Sequence, residues 1–305
     1  MRRLDPSELF ELDPDRPELD RPVLVQALDG FVDAGAARHL VRDHLLALSD
    51  SRVIATFDVD QLFDYRARRP TMLFSGDHWE SYDTPLLAVH LLHDAAGTPY
   101  LLLAGPEPDV QWERFAQAVT MLVDQLGVRL TVGLNAIPMG VPHTRPAGVI
   151  AHGSRKELLA GHEPWVEAVQ VPATAGHLLE LRLGQTGHDA MGFAVNVPHY
   201  LSQTEYPTAA VALLSELAGS TGLVLPADGL QEAAATTREA IDEQVRGAPE
   251  VLAVVQALEN QYDAFVQGRA SSLLVGEQEL PTADELGAEL ERFLAEQRGD
   301  GPPSA

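Results

Sequence analysis

Pro22-Val23-Leu24-Val25-Gln26-Ala27-Leu28-Asp29-Gly30-Phe31-Val32-Asp33-Ala34-Gly35 decides the fold class. An apolar run stops at an acid and a glycine, and a helical pattern begins a few residues later. Short apolar runs bounded by turn residues read as buried strands of an α/β sheet. Asp33 is placed to cap a helix through Ala36, Leu40, His44 and Leu48, because its carboxylate can accept N–H groups that the first helical turn leaves unpaired. The first crossover of an α/β domain is also where many such proteins hold phosphate. Here Gly-x-Gly-x-x-Gly is absent, Asp33 already fills the anion position and Asp29 would repel a phosphate. The stretch reads as a capped structural turn.

On either side of this crossover, strands alternate with helices. Val53–Phe57 and Thr71–Phe74 read as short buried strands. Leu86–Leu92 and Tyr100–Ala104 have the spacing of an antiparallel hairpin, so the sheet is expected to be mixed. Trp112, Phe115, Ala116, Val119, Leu122, Val123 and Leu126 recur at helical spacing, and Gly127 stops that helix. Strands follow at Arg129–Leu134, Ala147–His152, Ala168–Val171 and Met191–Val197. Between them lie a short helix near Arg155–Leu159 and a longer one through Leu178, Leu179 and Leu181. A last core helix, lined by Tyr206, Ala210, Leu213, Leu214 and Leu217, closes at Gly219. This alternation predicts a three-layer α/β/α sandwich with a mixed sheet as one domain over residues 1–225.

Past residue 225 the strands stop. Leu230 to Val245 form a weak apolar stripe, and after Pro249 the positions Val251, Val255, Leu258, Tyr262 and Phe265 alternate in steps of four and three. That predicts a helical hairpin over residues 226–267. Residues 268–305 read as a linker and a short helix, with Thr282 and Glu285 as its capping box and Leu286, Leu290 and Phe293 on its apolar face. So short a helix must dock on its own domain or on a neighbour. These eight apolar positions are the interface candidates.

The formal charge is −24, from 21 basic and 45 acidic side chains. Nucleic acid is excluded as a partner, since phosphate-backbone affinity rests on clustered Lys and Arg. The chain has no cysteine, which removes thiolate catalysis, disulfides and thiolate metal sites. Lys156 is the sole lysine, so no P-loop exists. The Gly-x-Ser-x-Gly elbow is absent as well. The histidines and paired acids lack metal-ligand spacing, so neither a metal nor a cofactor is expected. No apolar run reaches about eighteen residues, and the first residues hold no signal-peptide core. The expectation is a cytoplasmic protein without a membrane partner.

Four segments carry a resemblance: Asp29-Gly30-Phe31-x-Asp33-Ala34-Gly35, Asn135 to Pro146 (Asn-Ala-Ile-Pro-Met-Gly-Val-Pro-His-Thr-Arg-Pro), Val197-Pro198-His199-Tyr200-Leu201, and Tyr206-Pro207-Thr208-Ala209-Ala210. In this order they resemble the bacterial branch of the proteasome assembly chaperone 2-like family, over nearly the whole chain. The resemblance implies a core like a nucleoside phosphorylase or peptidyl hydrolase, a homo-oligomer such as a trimer, and protein partners that include proteasome components. Ring-docking members can use a C-terminal hydrophobic–tyrosine–any-residue tail; this sequence ends Gly301-Pro302-Pro303-Ser304-Ala305.

Ligands of open α/β sheets bind beyond the carboxyl ends of the strands. The polar residues there that also fall inside the resembling motifs are Asp29, Asp33, Asn135, His143, Arg145 and His199. One reading makes them a pocket for a small polar ligand, with Arg145 as anion clamp and a histidine as acid or base. The other, favoured because Pro138, Pro142 and Pro146 stiffen the loop, makes them braces held by hydrogen bonds. The function expected is a non-catalytic assembly factor or adaptor. The alternatives are an enzyme with a phosphorylase-like core acting on a small polar substrate, and a structural oligomer built through the C-terminal helices.

Overall fold

Val23–Asp29 is a strand buried on both faces up to its last residue. Val23, Val25 and Ala27 point into one core cluster while Leu24 and Leu28 point into another, as a central strand with helices above and below requires. The computed structural model describes residues 4–162 and 168–272. Its strands are β1 (Phe10–Leu12), β2 (Val23–Asp29), β3 (Arg52–Phe57), β4 (Met72–Ser75), β5 (His78–Tyr82), β6 (Ala88–His93), β7 (Pro99–Pro106), β8 (Leu130–Met139), β9 (Val149–Gly153) and β10 (Ala190–Pro198). Its helices are α1 (Ala37–Leu48), α2 (Trp112–Leu126), α3 (Ala175–Gln185), α4 (Pro207–Thr221), α5 (Asp228–Arg246) and α6 (Pro249–Ser272).

Eight strands form one mixed sheet in the order β1-β3-β6-β7-β2-β8-β10-β9. The four at its centre, β7, β2, β8 and β10, run parallel, and antiparallel strands flank them on both sides. Helices α1 and α4, with Leu230 of α5, cover one face; α2 and α3 cover the other. This is the expected three-layer α/β/α sandwich, with β6–β7 as its antiparallel hairpin. Helix α2 ends at Gly127, whose left-handed backbone (φ 62°) turns the chain into β8. Burying each large core side chain such as Phe115 or Phe193 is worth about 1.5–3 kcal/mol.

Four local expectations are corrected. The buried stripe of α1 is Ala37, Val41 and Leu45, one residue out of step with Ala36, Leu40, His44 and Leu48. Gly35 and Ala36 both take left-handed backbone (φ 64° and 49°) before the helix proper starts, which rotates its face. Thr71–Phe74 is not a buried strand: β4 pairs with β5 alone through a two-residue Gly76-Asp77 turn, and its apolar side chains are exposed. Ala168–Val171 is irregular and exposed. Among the described residues no strand pairs with it, and Pro172 could not continue a ladder. Helix α4 runs past Gly219 to Gly222 (φ 77°), because Ser220 and Thr221 back-bond to Leu217 O and keep the last turn helical.

The chain divides into two compact units, residues 1–258 and residues from Glu259 onward. The first holds the sheet, α1 to α5 and the start of α6; the second, within the described residues, is the end of α6. No helix of the described residues is long and apolar enough to cross a membrane.

Candidate functional site

The four segments behind the resemblance meet at the carboxyl ends of the parallel strands. Gly35 donates its N–H to Ser202 O (2.9 Å) and accepts the N–H of Tyr206 (2.8 Å). A Cβ at Gly35 would stand 2.8 Å from Tyr206 Cβ and 3.2 Å from Val197 Cγ1, so only glycine lets these segments close. The Asn135–Pro146 segment joins through His143, whose main-chain N–H donates to the Tyr200 hydroxyl (2.9 Å).

Asp29 and Asp33 organise the first crossover. Asp33 accepts the N–H groups of Arg38 (2.9 Å) and His39 (3.0 Å), capping α1 through its two oxygens. Asp29, at the end of β2, accepts from Arg42 of the same helix (2.6 Å), beside His39. Asn135 stands elsewhere, on the sheet face under α3, donating to His177 Nε2 (3.3 Å).

His143 is buried in the proline-rich loop. With the Tyr200 hydroxyl accepting its main-chain N–H and donating to Nδ1 (2.7 Å), the ring carries its proton on Nε2 and donates to Asp242 Oδ1 of α5 (3.1 Å). Both ring nitrogens are therefore engaged. Arg145, in the same loop, lies 3.5 Å from Thr144 Oγ1, and exposed His199 meets the Tyr200 ring edge-on. The six candidates thus belong to separate networks anchored on α1, on α3 and on the Tyr200–α5 side.

Of the interface candidates, Val255 and Leu258 are buried in the first unit, Leu258 beside Gly140, and Val251 is exposed. Tyr262 and Phe265 lie in the second unit. Leu286, Leu290 and Phe293 lie outside the described residues.

Glu107, just past β7, is a residue that the sequence reading passed over. Its N–H extends the ladder to Asp29 O (2.8 Å), its carbonyl accepts from Arg68, and its carboxylate accepts the first N–H of α3, at Ala175. A Cβ at Gly30 would lie 2.6 Å from Glu107 Oε2, so the glycine makes room for that carboxylate. One buried acid thereby joins the crossover loop, β7, the Arg68 segment and α3.

Beneath α3 runs a polar seam. His152 bonds to Glu180 (2.9 Å), its ring 5.9 Å from that of His177. Burial, then the nearby His152 and Arg38, push the His177 pKa down, against an opposing pull from Glu180. Gln26, Thr131, Gly133, Gly176 and Glu180 help to line a cavity here with room for about one water molecule. Thr131 Oγ1 has no partner there among the described residues. None of the six candidates lines it. Among the described residues no three His, Asp or Glu side chains gather to hold a metal ion.

Apolar side chains face outward in the segments these polar groups hold. Phe31 is 72% exposed, and Val169 and Val171, leading into α3, are exposed as well. A pocket lining would be concave and enclosed. These apolar side chains instead stand exposed, one by one, on their segments.

The model of the PAC2 family matches residues 27–245. Among solved structures, the chain is similar to Rv2714 of Mycobacterium tuberculosis, a protein of unknown function, at 49% identity and a TM-score of 0.81, covering 87% of this chain and 95% of that one. It is similar to a PAC2 family protein of Streptomyces avermitilis at 28% identity and a TM-score of 0.68, covering 77% and 99%. It shares its fold with Rv2125, a proteasome-assembly chaperone homologue of M. tuberculosis, at 24% identity and a TM-score of 0.71, covering 76% and 99%. No curated protein matches it.

Proposed function

The chain belongs to the PAC2 family, and from that premise we propose that it is a non-catalytic, cytoplasmic protein-binding assembly factor or adaptor. One observation carries the reading. His143, the strongest acid–base candidate, is buried with both ring nitrogens bonded inside the protein, while Phe31 projects into solvent from the loop that Asp29 and Asp33 hold. A general acid or base must reach a substrate. An exposed aromatic on a fixed loop is instead the kind of anchor that concentrates binding energy at protein interfaces. The partner class is proteasome components, in line with the name of the M. tuberculosis homologue that shares the fold. The protein also associates with itself, as a trimer by family resemblance.

Affinity capture from the native cytoplasm tests the adaptor role. The wild type should retain a specific protein, and Phe31→Ser, which leaves every hydrogen bond named above intact, should lose it. A metabolite that saturably raises the melting temperature of the wild type and not of Arg145→Ala, with no protein captured, would establish the enzyme reading instead.

A further inference from the structure

The strands β4 and β5 form a two-stranded sheet of their own, apart from the eight-stranded one. Such a hairpin is marginal in water unless something covers it. It carries Met72, Leu73, Phe74, Trp79 and Tyr82, all largely exposed, with the rings of Phe74 and Trp79 edge to face at 5.1 Å. Residues alternate between the two faces of a strand, so neighbouring Leu73 and Phe74 place apolar groups on both. Just before β4, Arg66 and Arg69 are exposed and make no ion pair among the described residues. Residues 66–83 hold three arginines against three acids, a neutral stretch with a basic end in a chain of net charge −24.

A second patch has the opposite character. At the start of α6, Val251, Leu252 and Val254 are exposed, while Val255 and Leu258 of the same helix turn inward. Glu250 stands four residues before Val254 on the same helical face, and exposed Glu239 and Glu243 lie in the last turns of α5, which exposed Arg246 ends. None of these three acids makes an ion pair among the described residues.

We infer that the β4–β5 hairpin of one chain docks on the α5–α6 junction of a second copy, head to tail. This rests on the self-association proposed above and names the surfaces that carry it. Apolar side chains meet apolar side chains, and Arg66 and Arg69 come to Glu239, Glu243 and Glu250. Charge sets this pairing apart from the symmetric alternatives. Junction against junction brings the unpaired glutamates of both copies together, and hairpin against hairpin, a neutral stretch against another, offers Arg66 and Arg69 no net opposite charge, whereas complementary patches steer and register a contact. A head-to-tail contact repeated around an axis closes into a ring when the rotation allows.

The test uses two double variants of the full chain, Phe74→Ser with Trp79→Ser and Val251→Asn with Val254→Asn. All four positions are exposed, so circular dichroism and thermal unfolding should match the wild type. By analytical ultracentrifugation each variant should dissociate at least about 30-fold more readily, the loss expected of central interface anchors. Mixed one to one, the two should form a dimer, because each retains the surface that the other lacks. A wild type that is monomeric at micromolar concentration would overturn both this contact and the self-association reading. A wild-type oligomer that survives both pairs of substitutions overturns the contact alone. Dissociation of both variants without recovery on mixing overturns the head-to-tail geometry, and a hairpin that captures a different protein while the oligomer persists overturns the occupant.

Discussion

Replacing His143 with alanine separates a brace from a catalytic group. The His143 side chain is 1% exposed, and its ring links the Tyr200 hydroxyl to Asp242. Truncation removes roughly 65 Å³ of side chain, which at about 24 cal/mol per Å³ of unrelaxed cavity costs about 1.5 kcal/mol. Two hydrogen bonds add about 1 kcal/mol each. Asp242 lies on the solvent side and can rehydrate, so the second bond counts for less than the first. The expected loss is about 3 kcal/mol, or roughly 6–12 °C in melting temperature for a unit of this size. Urea unfolding followed by circular dichroism measures it. Tyr200→Phe should cost less by itself, and the double variant should fall short of the sum by at least about 0.5 kcal/mol, since the two groups share a bond. A His143→Ala loss under about 1 kcal/mol, or strict additivity with Tyr200→Phe, would refute the brace.

Asp33→Ala should destabilise by about 1–2 kcal/mol through the lost cap, with Asp33→Asn, which keeps one acceptor oxygen, about halfway; equal melting temperatures for all three chains would contradict the capping geometry. Gly30→Ala should cost about 1–3 kcal/mol, because the new Cβ displaces the Glu107 carboxylate from α3, and hydrogen exchange at the Ala175 amide should quicken in that variant. Stability should also fall between about pH 7 and pH 5. Burial holds His90 and His177 below their usual pKa of 6.5, so the unfolded chain takes up protons first and acidification favours it. His177→Gln should flatten the profile, and a wild-type profile without slope in that window would show that these rings are not shielded as described. Asp94 behaves in the opposite sense: burial alone would raise its pKa, but N–H bonds from Val224, Thr98 and Ala96 prevail and lower it. Its contribution is present above about pH 4 and is lost below that, and Asp94→Ala should abolish it at neutral pH as well.

The elements that could be read from sequence are those whose pattern is set by their own residues. β2 and α2 carry runs long enough to fix both period and burial, and the β6–β7 hairpin announces itself by a short polar connection between two apolar runs. The α1 face could not be placed, because nothing in Ala34-Gly35-Ala36 marks a non-glycine residue in left-handed backbone. Thr71–Phe74 looked buried because three apolar residues in a row carry no record of whether a neighbour covers them. The same asymmetry governs the site. Asp29 and Asp33 act on the helix that follows them and were legible as a local turn. His143 depends on Tyr200, 57 residues away, and on Asp242, 99 away. Glu107 left one faint signal, an acid beside a proline directly after a buried strand, and its partners Arg68 and Ala175 are 39 and 68 residues off.

These long-range bonds bear on what the carboxyl ends of the sheet can do. Enzyme sites keep some polar groups unspent, so that substrate or transition state can claim them. Here Asp29 is occupied by Arg42, Asp33 by the α1 N-terminus, Glu107 by the α3 N-terminus and His143 by Tyr200 and Asp242. Spending those groups internally holds the Gly30, proline-rich and Tyr206 segments in one arrangement before any partner arrives. Fixed loops lose little conformational freedom on binding, and that cost is among the terms that separate weak interfaces from tight ones. Phe31 is carried by one of these loops and makes the prediction specific. Loosening the loop through Gly30→Ala should weaken partner capture with the aromatic still in place, whereas Phe31→Ser should weaken it with the loop intact. If capture tracks neither change, the Phe31 loop is not the binding face.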